Sequence, residues 1–183
     1  MSSPSQDELT AAIADATRQA VFALSLFREH PGRYYYCSLV TTGEAHPPYL
    51  SAWSHEALDK AAQNDPDPPS ARMLLKWSAT DSPFCCYGDG FFEPVRALFA
   101  KRPRIDPMLR DDQWDAEWRF RVDAMSAALA QLDKDGIFGR GEARTRIVVN
   151  VEVLPPDRTN TDRAVRLNPT EAIKESLAEA AEG

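Results

Sequence analysis

Few residues in this sequence have the types and neighbours that nucleophilic chemistry requires. A thiol such as Cys37, or a carboxylate, could be activated by the imidazole of His55, because a histidine base removes the proton of the attacking group. Cys37, however, lies in an apolar stretch, where a buried cysteine behaves as a small hydrophobic residue. The adjacent Cys85 and Cys86 lack the two-residue gap with which two thiolates reach one metal ion. We therefore predict no catalytic residue, no metal site and no cofactor, and keep a small hydrolase with a thiol or carboxylate site as the alternative.

Acidic side chains form a more regular pattern. Glu171, Glu175 and Glu179 recur every fourth residue, which places them on one face of a predicted helix. Like charges at this spacing destabilise a helix by a few tenths of a kcal/mol. A solvated terminal helix fits this pattern, and so does an acidic face that attracts a basic partner. Asp65 and Asp67, in a proline-rich loop, are a second set of candidate partner-binding residues.

Two aromatic residues are candidate anchors of a protein interface. Tyr49 and Trp53 lie on the returning strand of a predicted hairpin, and large aromatic residues dominate binding energy at interface centres. They can act as anchors if that face of the hairpin is exposed.

Arg144 and Arg146 should share one face of a later strand, where they could bind an anion or pair with nearby carboxylates such as Glu142.

Composition and charge exclude several classes of protein. The chain has 183 residues, with 21 lysines and arginines against 28 aspartates and glutamates, so its formal net charge is −7. This balance argues against a nucleic-acid partner, because phosphate contacts need a basic surface. The longest apolar run, Val21 to Phe27, is far shorter than the roughly 20 residues of a membrane-spanning helix. With three cysteines and no secretory signal pattern, we expect a cytoplasmic protein without a membrane association.

Local signals predict the elements that position these residues. Ser5 and Glu8 form the S-x-x-E pattern of a capping box, and apolar residues at helical spacing follow it. Ser54 is placed to cap a short helix, and Gly136 to end a long one. The predicted helices are His55–Gln63, Phe91–Ala100, Gln113–Asp133 and about 169–181, and the predicted strands are Arg33–Thr41, Tyr49–Trp53 and Ala143–Val153.

Three segments are harder to assign. Residues 72–77 fit either a strand or a short helix, because periodicity cannot separate the two over six residues. Residues 155–164 are polar and are predicted to be a loop, as is Asn64–Ser70 with its three prolines. Asn168, followed by Pro169 and Glu171, is predicted to be the N-cap of the last helix.

The order of these elements predicts the fold class. Strands do not alternate regularly with helices, which argues against a parallel doubly wound sheet. We predict a single α+β domain over residues 1–183, with helices packed on an antiparallel sheet. Its core spans about residues 9–173, and an acidic helix at about 169–181 follows.

Five short phrases occur in order along the chain: residues 20–24 (AVFAL), 34–39 (YYYCSL), 75–78 (LKWS), 132–139 (LDKDGIFG) and 166–169 (RLNP). Taken together, they resemble a bacterial family known as domain of unknown function 4303. The resemblance covers roughly Leu9 to Ile173 and implies no catalytic residue, because the family has none established. Proteins that look like this are often small, acidic and cytoplasmic, similar in style to the immunity proteins of polymorphic toxin systems.

These observations together predict a binding protein. We expect an immunity protein that neutralises a cognate bacterial toxin by occlusion, because no chemistry is visible and a charge of −7 would attract a basic toxin domain. A self-associating module that dimerises through the long tryptophan-bearing helix is a third interpretation. The sequence leaves the oligomeric state and the identity of the partner open.

Overall fold

The computed structural model describes residues 3–26, 33–106 and 112–181. Within those ranges, seven α helices surround three strands, and short 3-10 turns cover Asp89–Phe92 and Gly141–Arg146. The elements are α1 (Gln6–Leu26), β1 (Tyr34–Thr42), β2 (Tyr49–Ser54), α2 (His55–Ala62), α3 (Pro68–Leu75), α4 (Glu93–Phe99), α5 (Asp112–Asp135), β3 (Val148–Leu154), α6 (Arg158–Leu167) and α7 (Thr170–Ala180).

The sheet is mixed, with strand order β2–β1–β3. β2 pairs with β1 in the antiparallel sense, and β3 pairs with β1 in the parallel sense. The α+β class is therefore confirmed, whereas the prediction of a purely antiparallel sheet is wrong. The physical reason is the length of the connection: a short turn forces the hairpin to be antiparallel, but the helices between β2 and β3 let the chain return to the start of β1.

The main core lies between one face of the sheet and the helices α1 and α5. Leu39 of β1 pairs with Leu50 of β2 and Val151 of β3, and all three side chains are fully buried. The opposing helices contribute a cluster of wholly buried residues: Leu9, Ile13 and Ala20 from α1, and Met125, Leu129 and Leu132 from α5. Burying such a side chain stabilises the fold by about 1.5–3 kcal/mol. The apolar spacing in both helices therefore reflects the core.

The opposite face of the sheet carries aromatic side chains and is covered by the chain that follows α3. Trp53 is fully buried there, and its indole N–H donates to the carbonyl oxygen of Ser78 at 2.7 Å. The Ser51 hydroxyl donates to the carbonyl of Ala79 at 2.5 Å. Trp77 packs edge-on against Tyr35 and Tyr36, with ring centroids 5.5 and 5.8 Å apart. Segment 78–82 thus closes the hairpin face that the sequence left open.

The outer edge of β3 is closed by side chains instead of a fourth strand. Asn168 Oδ1 accepts from the Val149 N–H at 2.8 Å, and its amide donates to the Val149 carbonyl at 2.7 Å. Asn160 binds both backbone groups of Val153 at 2.9 and 3.1 Å, and Arg163 Nε donates to the Val151 carbonyl at 2.9 Å. These contacts satisfy backbone groups that an exposed edge would offer to another chain.

Two predictions around this edge are wrong for the same reason. Residues 155–164 are not a loop, because α6 begins at Arg158, capped by Asp157, whose Oδ1 accepts from the Thr159 N–H at 2.8 Å. Asn168 is not the N-cap of α7, because its side chain binds β3. In both places the polar residues serve the strand edge, a role that hydropathy does not show.

The strand predicted over Ala143–Val153 begins later, at Val148. Residues 141–146 form a 3-10 turn, so Arg144 and Arg146 do not share a strand face. The Arg144 side chain is buried, and its Nε donates to Asp133 Oδ1 at 2.5 Å. Arg146 pairs with Glu142 at 2.6 Å, which is the predicted carboxylate pairing.

Local end signals are confirmed where the structure describes them. The Ser5 N–H donates to Glu8 Oε2 at 2.7 Å and the Glu8 N–H donates to Ser5 Oγ at 3.2 Å, which is the reciprocal capping box at the start of α1. Ser54 Oγ accepts from the Ala57 N–H at 3.1 Å and caps α2. Gly136, with φ of 83°, follows the end of α5. Residues 72–77 continue the helix α3 and its end, not a strand.

Candidate functional site

The helix α3 exposes two large apolar side chains. Met73 is 79% exposed and Leu74 is 80% exposed, more than any other large hydrophobic residue in the described part of the chain. The opposite side of α3 packs on α2, where Ala71 is buried and Arg72 donates to Asp59. Because α2 holds that side, Met73 and Leu74 face solvent. Neighbouring exposed apolar residues of this kind indicate an interaction surface.

Acidic residues lie at the start of this helix. Asp67 is the N-cap of α3: its Oδ1 accepts from the Ser70 N–H at 3.3 Å and its Oδ2 from the Ser70 hydroxyl at 2.7 Å. These hydrogen bonds from Ser70 lower the pKa of Asp67. Asp65 is exposed, and its Oδ1 accepts from the Asp67 N–H at 2.9 Å. Asp67 therefore carries its negative charge at neutral pH while it holds the helix start.

The end of α3 is tied to α7 through Lys76. Lys76 Nζ donates to Glu175 Oε1 at 2.7 Å and to Glu179 Oε2 at 2.8 Å, and the Trp77 indole also donates to Glu179 at 2.8 Å. The hydrogen bonds from Lys76 and Trp77 lower the pKa of Glu179. Burial opposes the charge on Lys76, but the two carboxylates outweigh it and raise the pKa of that ammonium. The two predicted acidic segments, residues 65–67 and α7, are thus joined through α3.

Two of the three predicted glutamates are therefore not freely solvated. Glu175 and Glu179 share one ammonium, which lowers the negative charge that α7 presents. Glu171, one turn earlier, is exposed and lines the wall of a neighbouring cleft. We name the combined patch of Asp65, Asp67, Met73, Leu74, Glu175 and Glu179 the α3 surface.

The aromatic anchors predicted on the hairpin do not lie on an open face. Trp53 has no exposed surface, so it does not meet the condition of an exposed hairpin face on which its anchor role depends. Tyr49 is half-buried, and burial raises its pKa to about 12. Met73 and Leu74 are the large apolar side chains that the structure exposes instead. The sequence contains a weak signal for them: in Met73-Leu74-Leu75, three successive helical residues cannot all face the same core.

No described contact joins the residues considered for catalysis. Cys37 is buried in the main core, and burial raises its pKa to about 12, which makes the thiolate nucleophile scarce at neutral pH. His55 stacks on Tyr35 with ring centroids 4.7 Å apart, and burial and the nearby Arg33 lower its pKa. His46 Nδ1 lies 2.8 Å from the Thr42 hydroxyl. Neither described histidine contact involves Cys37.

A polar cleft of about 510 Å³ does collect several chemically capable side chains. Its lining includes His55, Glu171 and Glu175, together with the two arginines Arg33 and Arg146. A half-buried imidazole whose pKa is lowered is neutral at pH 7 and can accept a proton. No group of three or more His, Cys, Asp or Glu side chains within residues 3–26, 33–106 and 112–181 could hold a metal ion.

Comparison with known proteins gives one finding. The model of a family described as a domain of unknown function, DUF4303, matches residues 13–169. The chain belongs to this family. No curated protein and no solved structure gave a significant match. The match confirms the resemblance inferred from the sequence phrases, and its description assigns no activity.

In this DUF4303 protein, two of those phrases lie at structural joints. Residues 75–78 carry Lys76 and Trp77, which tie α3 to α7. Residues 166–169 carry Asn168, which closes the edge of β3. The matched region ends at Pro169, so the glutamates of α7 follow it. In the described ranges, no helix of this DUF4303 protein has the length and apolarity needed to cross a bilayer.

Proposed function

We propose that this DUF4303 protein is a cytoplasmic binding protein, an immunity protein that neutralises a cognate bacterial toxin by occluding it through the α3 surface. The observation that carries the proposal is the exposure of Met73 and Leu74, at 79% and 80%, on a helix whose two ends carry acidic side chains. An apolar centre with a polar border is the usual anatomy of a protein interface. A partner that covers Met73 and Leu74 would remove both side chains from water, and this burial would contribute to its affinity.

The charge of this surface favours a basic partner. Asp65, Asp67, Glu175 and Glu179 contribute negative charge, and Lys76 offsets part of it. The whole chain adds a net charge of −7, which attracts a basic protein over a longer range. Toxin domains that attack nucleic acid need basic surfaces, because their substrates are polyanions. A partner of this class therefore complements both the apolar centre and the acidic border.

The test is a protection assay with a matched control. The chain is co-expressed with basic toxin domains that attack nucleic acid, beginning with any that is encoded next to it, and growth is measured. We expect the wild-type chain to restore growth and the Met73→Glu/Leu74→Glu double variant to fail. Val165, 50% exposed on α6, provides the control, because Val165→Glu adds a charge away from α3 and should still protect.

Each outcome has one meaning. Failure of the folded wild-type chain to protect would overturn the immunity function. Protection by both wild type and the double variant would show that the α3 surface is not the interface. A dimer of the isolated chain in light scattering, abolished by the double variant, would identify a second copy of the chain as the occupant.

The cleft around His55 favours a second candidate, a small hydrolase with a carboxylate site. Glu171 or Glu175 would then orient a reacting group while the neutral imidazole accepts a proton. The burial of Cys37 favours the carboxylate version over the thiol version. A hydrolytic activity that disappears in His55→Ala and persists in Cys37→Ala, with both variants folded, would support this candidate. Retention of that activity in His55→Ala would exclude it.

A further inference from the structure

A second cavity lies on the aromatic face of the sheet, and neither Met73 nor Leu74 lines it. It has a volume of about 280 Å³ and is bounded by β3, α6, α7 and the segment 77–80. A cavity of this size holds a short aliphatic chain with a polar head. The edge-closing contacts of α6 fix one wall, because Asn160 is bonded to both backbone groups of Val153. Hydrogen bonds between α6 and β3 therefore hold this wall of the cavity in place.

One wall of this cavity carries a carboxylate. Glu152 of β3 lines the cavity, and the hydroxyl of Tyr36, from the neighbouring strand, donates a hydrogen bond to Glu152 Oε1. Tyr36 is only 3% exposed, and burial followed by the charge of Glu152 raises its pKa well above the ordinary value. Tyr36 therefore stays a neutral hydrogen-bond donor to the Glu152 carboxylate. Among the described lining residues, Glu152 is the only charged one.

The other walls are aromatic and aliphatic. Trp77 stands perpendicular to Tyr36, with an interplanar angle of 89°. The Lys76 ammonium lies 5.3 Å from the Trp77 ring centroid, and Glu175 and Glu179 balance its charge. The aliphatic side chains lining the cavity are Val148, Leu154, Ile173 and Leu177, with Ala164, Ala180 and Ala181.

We propose that this cavity binds a short aliphatic chain that ends in an ammonium or guanidinium group. The cationic head would meet the Glu152 carboxylate beside the Trp77 ring, and the methylene chain would lie against Ile173 and Leu177. An anionic ligand would meet repulsion from Glu152, whereas a cation gains a charge-assisted hydrogen bond. This ligand class goes beyond the proposed toxin binding, because neither Met73 nor Leu74 lines the cavity.

The same cationic head could come from two sources. A free alkylamine or alkylguanidine is one, and an arginine or lysine side chain of a basic protein partner is the other. Both share the chemistry of the site, so the first measurement uses a small probe without any partner. The result is then independent of whether the α3 surface binds a toxin.

The probe is butylguanidinium, and its uncharged counterpart is butylurea. Binding is measured by calorimetry and by the indole N–H resonance of Trp77 in an NMR titration of the full chain. We expect butylguanidinium to bind and to shift that resonance, and butylurea to bind at least tenfold more weakly. The Glu152→Gln variant should weaken butylguanidinium binding by about tenfold or more, because it removes the charge and keeps the shape.

The control is Glu93→Gln, which makes the same charge change on α4, outside the cavity. It should bind the probe as the wild-type chain does. A Tyr36→Phe variant that stays folded provides a second test and should weaken binding, because Glu152 loses its hydrogen-bond donor. Equal binding of the two probes, or unchanged binding in folded Glu152→Gln, would overturn the proposal.

The source of the cation is then decided by competition. If butylguanidinium displaces a protein partner, and Glu152→Gln weakens that complex, the head belongs to a side chain of the partner. If the complex forms unchanged in the presence of saturating probe, the natural ligand is a free small molecule.

Discussion

At the scale of single residues, the side-chain amide of Asn168 connects β3 to α6 and to Arg144 by hydrogen bonds. It binds both backbone groups of Val149, donates to the Ala164 carbonyl at 2.8 Å, and accepts from Arg144 at 3.1 Å. An Asn168→Ala substitution would leave buried backbone groups of β3 without partners. Each such group costs about 1–3 kcal/mol, so we expect a loss of roughly 2–4 kcal/mol in the free energy of unfolding.

Chemical denaturation measures this loss, and Asn64→Ala is the matched control. Asn64 is exposed and makes one side-chain hydrogen bond, to the Lys60 carbonyl at 3.2 Å. Its replacement should change the free energy of unfolding by less than about 0.5 kcal/mol. Equal losses for the two variants would show that the edge contacts of Asn168 contribute no special stability.

The sequence predicted a helix start next to Asn168 but not the hydrogen bonds that its side chain makes to β3. Asn-Pro before an amphipathic stretch is typical of a helix start, and α7 does begin at Thr170. The amide serves β3 because the parallel pairing of β3 with β1 leaves its other edge facing α6. Cys37 was interpreted from the sequence as a core residue, and it lies there, because an apolar strand neighbourhood is a local signal.

At the scale of elements, the joint between α3 and α7 depends on charge. Glu179 has a lowered pKa, so its contribution to stability is present above the unfolded value of about 4.5 and is lost as the pH falls through the folded value. We therefore expect α7 to loosen in mild acid, below about pH 4.5, before the core unfolds. Hydrogen exchange of the α7 amides, followed from pH 7 downwards and corrected for intrinsic rates, measures this.

A substitution tests the same joint at constant pH. Lys76→Met keeps the length of the side chain and removes the ammonium that binds Glu175 and Glu179. With a contribution of about 1 kcal/mol, exchange in α7 should become roughly fivefold faster at pH 7 and should lose most of its acid dependence. Lys60→Met, on exposed α2, should change neither quantity. Unchanged hydrogen exchange of the α7 amides in Lys76→Met would show that Lys76 does not hold α7 against α3.

Some elements could be predicted from local sequence patterns and others could not. Helices α1, α2 and α5 were predicted because capping residues and apolar spacing are local. Helix α6 was missed because its buried positions include Asn160 and Arg163, which bind a strand edge rather than an apolar core. The direction of β3 relative to β1 depends on the path of a long connection, which no local pattern encodes.

At the scale of the whole molecule, the central feature is how its surfaces are distributed. The main core closes one face of the sheet, and segment 78–82 closes the hairpin half of the other. The α3 surface therefore remains as the exposed apolar patch with acidic neighbours, and the Glu152 cavity lies beyond Trp77. The acidic segments could be read from the sequence, but their link through Lys76 could not, because residues 76 and 179 meet only in the fold.

The net charge of −7 leads to the last prediction, on the rate of association with a basic toxin domain. Exposed charges on and near the α3 surface act on the association rate constant, because they attract the partner before contact forms. Asp65→Asn/Glu171→Gln removes two exposed charges and spares the Lys76 joint, so association should slow by roughly two- to tenfold at low salt while dissociation stays unchanged. Surface plasmon resonance between 50 and 300 mM salt, as approximate limits, should show the difference shrinking as screening increases. An association rate that is independent of salt would mean that apolar contact at Met73 and Leu74, rather than charge, selects the partner.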